Sequence, residues 1–286
     1  MAGTAAQAAG CGVSAAADGR APALVLERAS LVIDGRVIVD HVDLHFAPGT
    51  LTALVGPNGA GKSSLLSLAA GDRHPSTGHV AVGGRPLPQW RVRELARERA
   101  VMPQDHSVRF GFGVREVVAM GRLPHDADPA RDDGIVEASL ATADLLALAE
   151  RNVQTLSGGE AARTAFARVL AQDTPVVLLD EPTAALDLHH QERLLQHARR
   201  LADDGACVLA VLHDLNLASA YSDRIVMLCE GRVVADGTPR EVLQRETIER
   251  VYRQPVLVIE HPTRAVPLVL TDLPREIAAG TPTLSR

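Results

Sequence analysis

The chain has 286 residues, of which 46% are hydrophobic, 22% charged and only 2% aromatic, and its formal net charge is −6. This composition predicts a globular protein with one large domain or two small ones, and it excludes a chain that stays unfolded through charge repulsion. The acidic balance and the scarcity of aromatic rings argue against a nucleic-acid partner. Three widely spaced cysteines indicate neither a disulfide framework nor a zinc site.

No stretch approaches the roughly 18 consecutive apolar residues that a bilayer span requires, and the first residues lack the pattern of a secretory signal. We therefore expect a chain that neither spans a membrane nor is exported. Residues 1–22 are mostly Ala, Gly and Ser, which predicts a disordered leader. From Ala23 onward, short β-branched runs with the turn signal Asp34-Gly35 predict a small antiparallel sheet.

A strand from Leu51 to Gly56 is followed by a glycine-rich loop and a helix that ends at Gly71. Residues from about 105 to 156 carry apolar side chains at helical spacing, notably in 114–121 and 135–151, and predict a helical insertion. Three later segments are typical of buried strands: 176–180, 207–213 and 224–237, the last with a turn at Glu230-Gly231. Strands that alternate with helices predict an α/β fold with a parallel sheet.

The loop after the first long strand reads G-x-x-x-x-G-K-S, which is the phosphate-binding P-loop pattern in its required place between a strand and a helix. Glycines allow successive backbone N–H groups to turn toward phosphate oxygens, and the helix N-terminus adds positive potential. Lys62 would bridge the β- and γ-phosphates, and Ser63 would bind Mg²⁺. The predicted nucleotide-binding residues are Gly56, Pro57, Asn58, Gly59, Ala60, Gly61, Lys62, Ser63 and Ser64.

Two acidic residues end the buried segment VVLLD, and their side chains point in different directions because they are adjacent at a strand end. Asp180 is suited to the water shell of a metal ion bound to phosphate, and Glu181 to an attacking water. The alternative is a solvated acidic turn.

A second glycine turn, Ser157-Gly158-Gly159, opens a second helix and could also face an anion. The chain has two such turns but one P-loop lysine and one metal carboxylate. We therefore predict that the second turn serves the nucleotide bound by another copy of the same chain in a two-fold homodimer.

These motifs, in this order, resemble the ATP-binding cassette (ABC) ATPases. Residues 56–63 match the Walker A motif, 156–160 the signature, 176–187 the Walker B motif with the D-loop, and 212–214 the switch histidine. The resemblance covers residues 23–237 and implies a P-loop core with a parallel sheet, a small N-terminal antiparallel subdomain and a helical insertion. It implies ATP and Mg²⁺ as cofactors.

The resemblance also assigns roles by position. Gln104 matches the Q-loop glutamine, which reaches the metal ion and senses the membrane partner. Glu181 matches the general base, His213 the residue that contacts the γ-phosphate, and Asp187 the aspartate that communicates across the dimer. The family often stacks adenine on an aromatic ring, and Ile33 stands in that region as an aliphatic substitute.

Residues 102–125 resemble the group of cassette ATPases that serves importers of iron chelates, cobalamin and haem, and residues 258–270 resemble the ending of haem importer ATPases. The resemblance implies an integral membrane permease dimer, a periplasmic substrate-binding protein, and a peripheral position on the cytoplasmic face of the inner membrane. We expect a nucleotide-binding domain over 23–260 and a tail over 261–286. Ferric siderophore or cobalamin import and a soluble ATPase of iron-sulfur cluster assembly remain alternatives.

Overall fold

The computed structural model describes residues 21–105 and 111–272. The leader expected for residues 1–22 lies outside the described residues, apart from its last two. The strands are β1 (Leu24–Ile33), β2 (Arg36–Phe46), β3 (Thr50–Val55), β4 (Thr77–Val82), β5 (Arg85–Pro86), β6 (Arg99–Met102), β7 (Val176–Asp180), β8 (Cys207–Val211), β9 (Arg224–Cys229), β10 (Arg232–Gly237), β11 (Val256–Glu260) and β12 (Pro267–Thr271).

The α-helices are α1 (Lys62–Ala70), α2 (Val92–Glu98), α3 (Val114–Ala119), α4 (Pro129–Thr142), α5 (Gly158–Gln172), α6 (Leu188–Asp203), α7 (Leu215–Tyr221), α8 (Pro239–Val242) and α9 (Arg245–Tyr252). Short 3₁₀ turns connect several of them. Within the described ranges, no helix combines the length and the apolar character of a membrane span.

The main sheet has the strand order β10-β9-β3-β8-β7-β6, in which all neighbours from β9 to β6 run parallel and β10 pairs antiparallel at the edge. Strands β7 and β8 are buried along their whole length, as the interior strands of a parallel sheet must be when helices cover both faces. One face packs against α5, α6 and the C-terminal helices, and the other against α1. The predicted α/β fold with a parallel sheet is confirmed.

A second sheet, in the order β2-β1-β4-β5, is antiparallel and shares its core with α1. The hairpin between β1 and β2 turns at Asp34 and Gly35, whose φ angles are 49° and 74°. Positive φ at both central residues is the geometry that suits the twist of a tight hairpin. The small N-terminal antiparallel sheet predicted from this turn signal is therefore present.

The helical insertion consists of α3, α4 and intervening 3₁₀ turns, and it packs against α5 through a core of its own. The boundaries predicted for its second helix were wrong. Helix α4 begins at Pro129, after Asp128 accepts a hydrogen bond from a backbone amide of the first turn, and it ends at Thr142. It ends because Asp144 takes a left-handed conformation (φ 56°), which sends the fully buried Leu145 into the insertion core.

Beyond the main sheet, β11 and β12 form an antiparallel hairpin that packs on α7. The Asn216 side chain bonds both backbone groups of Val269, donating to the carbonyl at 3.1 Å and accepting from the amide at 2.7 Å. Ser219 donates to the carbonyl oxygen of Pro267 at 2.6 Å. The boundary expected at residue 260 remains a prediction, and it falls at the end of the first strand of this hairpin.

Two glycines of the insertion give a matched test of this packing. A Cβ added at Gly121 would lie 2.4 Å from the carbonyl oxygen of Arg168 in α5, whereas one added at Gly134 in α4 would meet nothing within 4 Å. We expect Gly121→Ala to lower the free energy of unfolding by about 1–3 kcal/mol through overpacking, and Gly134→Ala to raise it by about 0.5–1 kcal/mol through helix propensity. Urea unfolding of both variants measures the difference, and equal stabilities would contradict the packing described here.

Candidate active site

The carboxyl ends of four neighbouring parallel strands carry the predicted site residues. The glycine-rich loop follows β3 and His213 follows β8, while Asp180 ends β7 with Glu181 directly after it, and Gln104 follows β6. In open α/β sheets this edge is where ligands bind. Residues that are up to 157 positions apart in sequence (213 − 56) therefore meet at one edge of the sheet.

The glycine-rich loop has a backbone that other residues could not adopt. Gly56, Gly59 and Gly61 have φ angles of 145°, 80° and 99°. A Cβ at Gly56 would lie 2.2 Å from the carbonyl oxygen of Leu228, and one at Gly61 would lie 2.7 Å from that of Ile38. Helix α1 begins directly after Gly61 without a side-chain cap, so the amides of its first turn remain available to an anion.

Lys62 is buried beneath this loop, with 5% of the residue exposed, and its Nζ donates hydrogen bonds to the carbonyl oxygens of Gly56 (2.9 Å) and Pro57 (3.0 Å). Burial lowers the pKa of the Lys62 ammonium, and the charges of Glu181 and Asp180 act in the opposite direction. A buried ammonium group requires compensation by anions or hydrogen-bond acceptors. The arrangement fits a phosphate group in the loop.

Oxygen atoms suited to a metal ion come from the first turn of α1 and from the end of β7. The Ser63 hydroxyl donates to Oδ1 of Asp180 at 3.2 Å. Burial raises the pKa of Asp180, and the hydrogen bond from Ser63 opposes that rise. A hydroxyl and a carboxylate are hard oxygen ligands of the kind that Mg²⁺ prefers, so the residues present fit this ion.

The Glu181 carboxylate is held between residues from the two flanking strands. Its Oε2 accepts a hydrogen bond from Nε2 of Gln104 at 3.0 Å, and its Oε1 lies 2.6 Å from Nε2 of His213. Glu181 has a φ of 50°, a left-handed conformation that is uncommon for a residue with a side chain. Such strained backbone is typical of functional sites, and the fixed carboxylate is placed to take a proton from a water molecule.

The second glycine turn caps helix α5 and does not bond to the P-loop of its own chain in the described residues. The Ser157 hydroxyl accepts from the Glu160 amide at 3.3 Å, while the Glu160 carboxylate accepts from the Ser157 amide at 2.7 Å. Ser157 and Gly158 are exposed. A Cβ at Gly159 would lie 3.2 Å from the carbonyl oxygen of Ala185, a contact that no pattern in the sequence predicts.

Two further predicted residues lie apart from the carboxylates. Asp187 caps helix α6, and its Oδ1 accepts from the backbone amide of His190 at 2.9 Å. This backbone hydrogen bond, followed by that from the His190 side chain, holds the pKa of Asp187 below its usual range. Ile33 ends β1, is half-buried and packs against the core of the N-terminal sheet. The roles expected for both remain predictions.

The fold and these contacts define the class of P-loop nucleoside triphosphatases. The family model described as ABC transporter matches residues 39–184. The chain is 53% identical over 253 residues to the hemin import ATP-binding protein HmuV of Nocardia farcinica, with 88% of each chain covered. It is 48% identical over 239 residues to the protein of the same name from Pseudomonas putida, with 82% of this chain and 94% of that protein covered. The chain belongs to the ABC transporter family and is an ATP-hydrolysing ATPase.

Solved structures agree with this membership. An inward-facing transporter described as of the metal-chelate ABC type has a TM-score of 0.76 and 25% identity, with 90% of this chain and 99% of that chain covered. A dimeric ATP-binding cassette in a post-hydrolysis state with ADP and Pi has a TM-score of 0.68 and 26% identity, with 75% of this chain and 98% of that chain covered. The expected cassette fold is confirmed.

Glu181→Gln keeps the hydrogen bond from Gln104 but removes the proton acceptor. We expect ATP to remain bound while kcat falls by a factor on the order of 10² to 10⁴, the usual contribution of a general base. Phosphate release measures the rate, and nucleotide retention on the purified protein measures binding. Glu230→Gln is the matched control, because Glu230 has a similar φ of 49° but lies at the exposed turn between β9 and β10. Turnover of Glu181→Gln close to the wild-type rate would refute the role of Glu181.

Proposed function

We propose that this chain is the ATPase subunit of an importer and that the cargo of the importer is haem. The observation that supports haem as the cargo is the 53% identity, over 88% of both chains, to a hemin import ATP-binding protein. The similarity to a transporter described as of the metal-chelate type supports a metal chelate as the class of cargo. The expected alternatives, ferric siderophore and cobalamin, belong to the same chemical class of large chelates.

The nucleotide-binding residues follow from the contacts around the loop. Lys62 and the amides that follow Gly61 would hold the β- and γ-phosphates of ATP, with Ser63 and Asp180 facing Mg²⁺. When bound between Ser63 and Asp180, Mg²⁺ would supply positive charge against the negative charge that develops during phosphoryl transfer. Glu181 would orient a water molecule and accept its proton, and His213, which lies 2.6 Å from that carboxylate, would contact the γ-phosphate.

A second copy of the chain completes each site. The exposed turn at Ser157 and Gly158 presents backbone amides and the start of helix α5 to solvent, which suits it to a phosphate bound by the other copy. Ile33 would pack against the nucleotide base, and Asp187 would face the partner across the dimer interface. The dimeric cassette with ADP and Pi described above supports this arrangement.

Closure of the two copies around ATP would then move a membrane permease dimer that contacts the helical insertion near Gln104. Closure brings each Glu181 site and each signature turn together, and hydrolysis releases them, so nucleotide binding shifts the permease between its two conformations. In this arrangement the chain lies on the cytoplasmic face of the inner membrane as a peripheral subunit, and a periplasmic protein delivers the cargo.

Cargo uptake in a deletion strain tests the proposal. We expect uptake of labelled haem to require the wild-type gene and to be lost with Glu181→Gln, while uptake of ferric siderophore and vitamin B12 is unchanged. If the deletion strain lost siderophore or vitamin B12 uptake and kept normal haem uptake, the lost compound would be the cargo and haem would not.

Affinity purification from detergent-solubilised membranes separates an importer subunit from a soluble assembly factor. We expect an integral membrane protein to be recovered with the tagged chain in stoichiometric amount. Recovery of soluble iron-sulfur assembly proteins alone would contradict an importer and favour the soluble alternative.

A further inference from the structure

A cluster of charged and polar side chains outside the hydrolysis site joins the segment after Glu181 to the helical insertion. The His190 ring lies between two carboxylates: its Nδ1 is 2.9 Å from Oδ1 of Asp187, and its Nε2 is 3.8 Å from Oδ2 of Asp144. The Nε2 atom is buried and has no hydrogen-bond partner among residues 21–105 and 111–272, because 3.8 Å is too long for a hydrogen bond. A small closure of this gap would complete the link, with both ring nitrogens donating as they do in the imidazolium form.

Asp144 is in turn fixed to helix α5, the helix that starts at the signature turn. Nη1 of Arg163 donates to the carbonyl oxygens of Ala143 (3.1 Å) and Asp144 (2.6 Å), and it lies 3.4 Å from the Asp144 carboxylate. Arg163 is itself mostly buried. Arg163 therefore links the end of helix α4 to helix α5.

The segment 181–187 contacts α5 at a second place. The carbonyl oxygen of Ala185 lies against Gly159, at 3.2 Å from the position of an added Cβ. The segment thus has Glu181 at its start, the signature turn against its middle, and the His190 cluster at its end. The segment therefore contacts α5 directly at Ala185, and its end approaches α5 through His190 and Asp144.

We propose that His190 is a positioning residue that couples the two ATP sites of the dimer through one chain. This inference rests on the proposed dimer, in which Glu181 serves the ATP of its own chain and the signature turn serves the ATP of the partner. When the signature turn engages the partner's ATP, α5 carries Asp144 toward His190. The ring then fixes Asp187, and with it the segment that begins at Glu181.

The dependence of hydrolysis on ATP concentration, measured with the full-length protein, tests this coupling. Two coupled sites give a Hill coefficient above about 1 and at most about 2. We expect wild-type protein to be cooperative and His190→Gln to lower the coefficient toward 1, with kcat reduced less than threefold and ADP affinity unchanged. A merely structural defect would lower kcat and ADP affinity together. His189→Gln is the matched control, because this exposed neighbour lies edge-to-face against the His190 ring and is not part of the His190–Asp144 approach.

A double-mutant cycle identifies the partner of His190. Asp144→Asn removes the charge and keeps a residue type that tolerates the left-handed conformation at this position, so it serves as the test even if His190→Gln fails to fold. We expect each single variant and the double variant to show the same reduced Hill coefficient. Wild-type cooperativity in His190→Gln or Asp144→Asn, or a non-cooperative wild-type enzyme, would overturn the coupling. Either outcome would overturn the coupling alone, because ATP hydrolysis and haem uptake would still be observed. Loss of ATP-dependent dimers or of haem uptake would instead refute the proposed function.

Discussion

The Glu181 carboxylate accepts a hydrogen bond from Gln104 and lies 2.6 Å from His213. These two contacts require three neighbouring strands to end at the same edge of the sheet. The order β8-β7-β6 provides that alignment, because β7 ends at Asp180 between the strands that lead to the other two residues. The parallel arrangement in turn requires helices on both faces, which supply the apolar cores on either side. The left-handed backbone of Glu181 is the local strain that this arrangement stabilises.

The charges at this edge are arranged for a ligand rather than for stability. Lys62 is buried and donates to two backbone carbonyl oxygens, and burial lowers its pKa. Asp180 is buried beside a serine hydroxyl, and burial raises its pKa. Both shifts reflect charged forms that are incompletely compensated. Phosphate and a divalent cation are the ligands that would compensate Lys62 and Asp180, respectively.

The sequence predicted the elements that local chemistry determines. Glycines with positive φ marked the P-loop and the β1–β2 hairpin, and short buried runs marked strands whose ends carry the site. The sequence did not predict the end of helix α4, since apolar spacing continues beyond residue 142 and only the tertiary core draws Leu145 inward. It also gave no indication of the cluster around His190, because its members come from α4, α5 and α6 and have no common spacing.

One chain contains a P-loop and a signature turn but does not bond them to each other within its described residues. Each proposed site therefore combines the P-loop of one copy with the signature turn of the other. Mixing two inactive variants, Lys62→Ala and Ser157→Arg, tests this directly. Each mixed dimer has one site of two with both motifs intact, and about half of the dimers in the mixture are mixed. The mixture should therefore hydrolyse ATP at up to about one quarter of the wild-type rate. A mixture no more active than either variant alone would contradict a site shared between two chains.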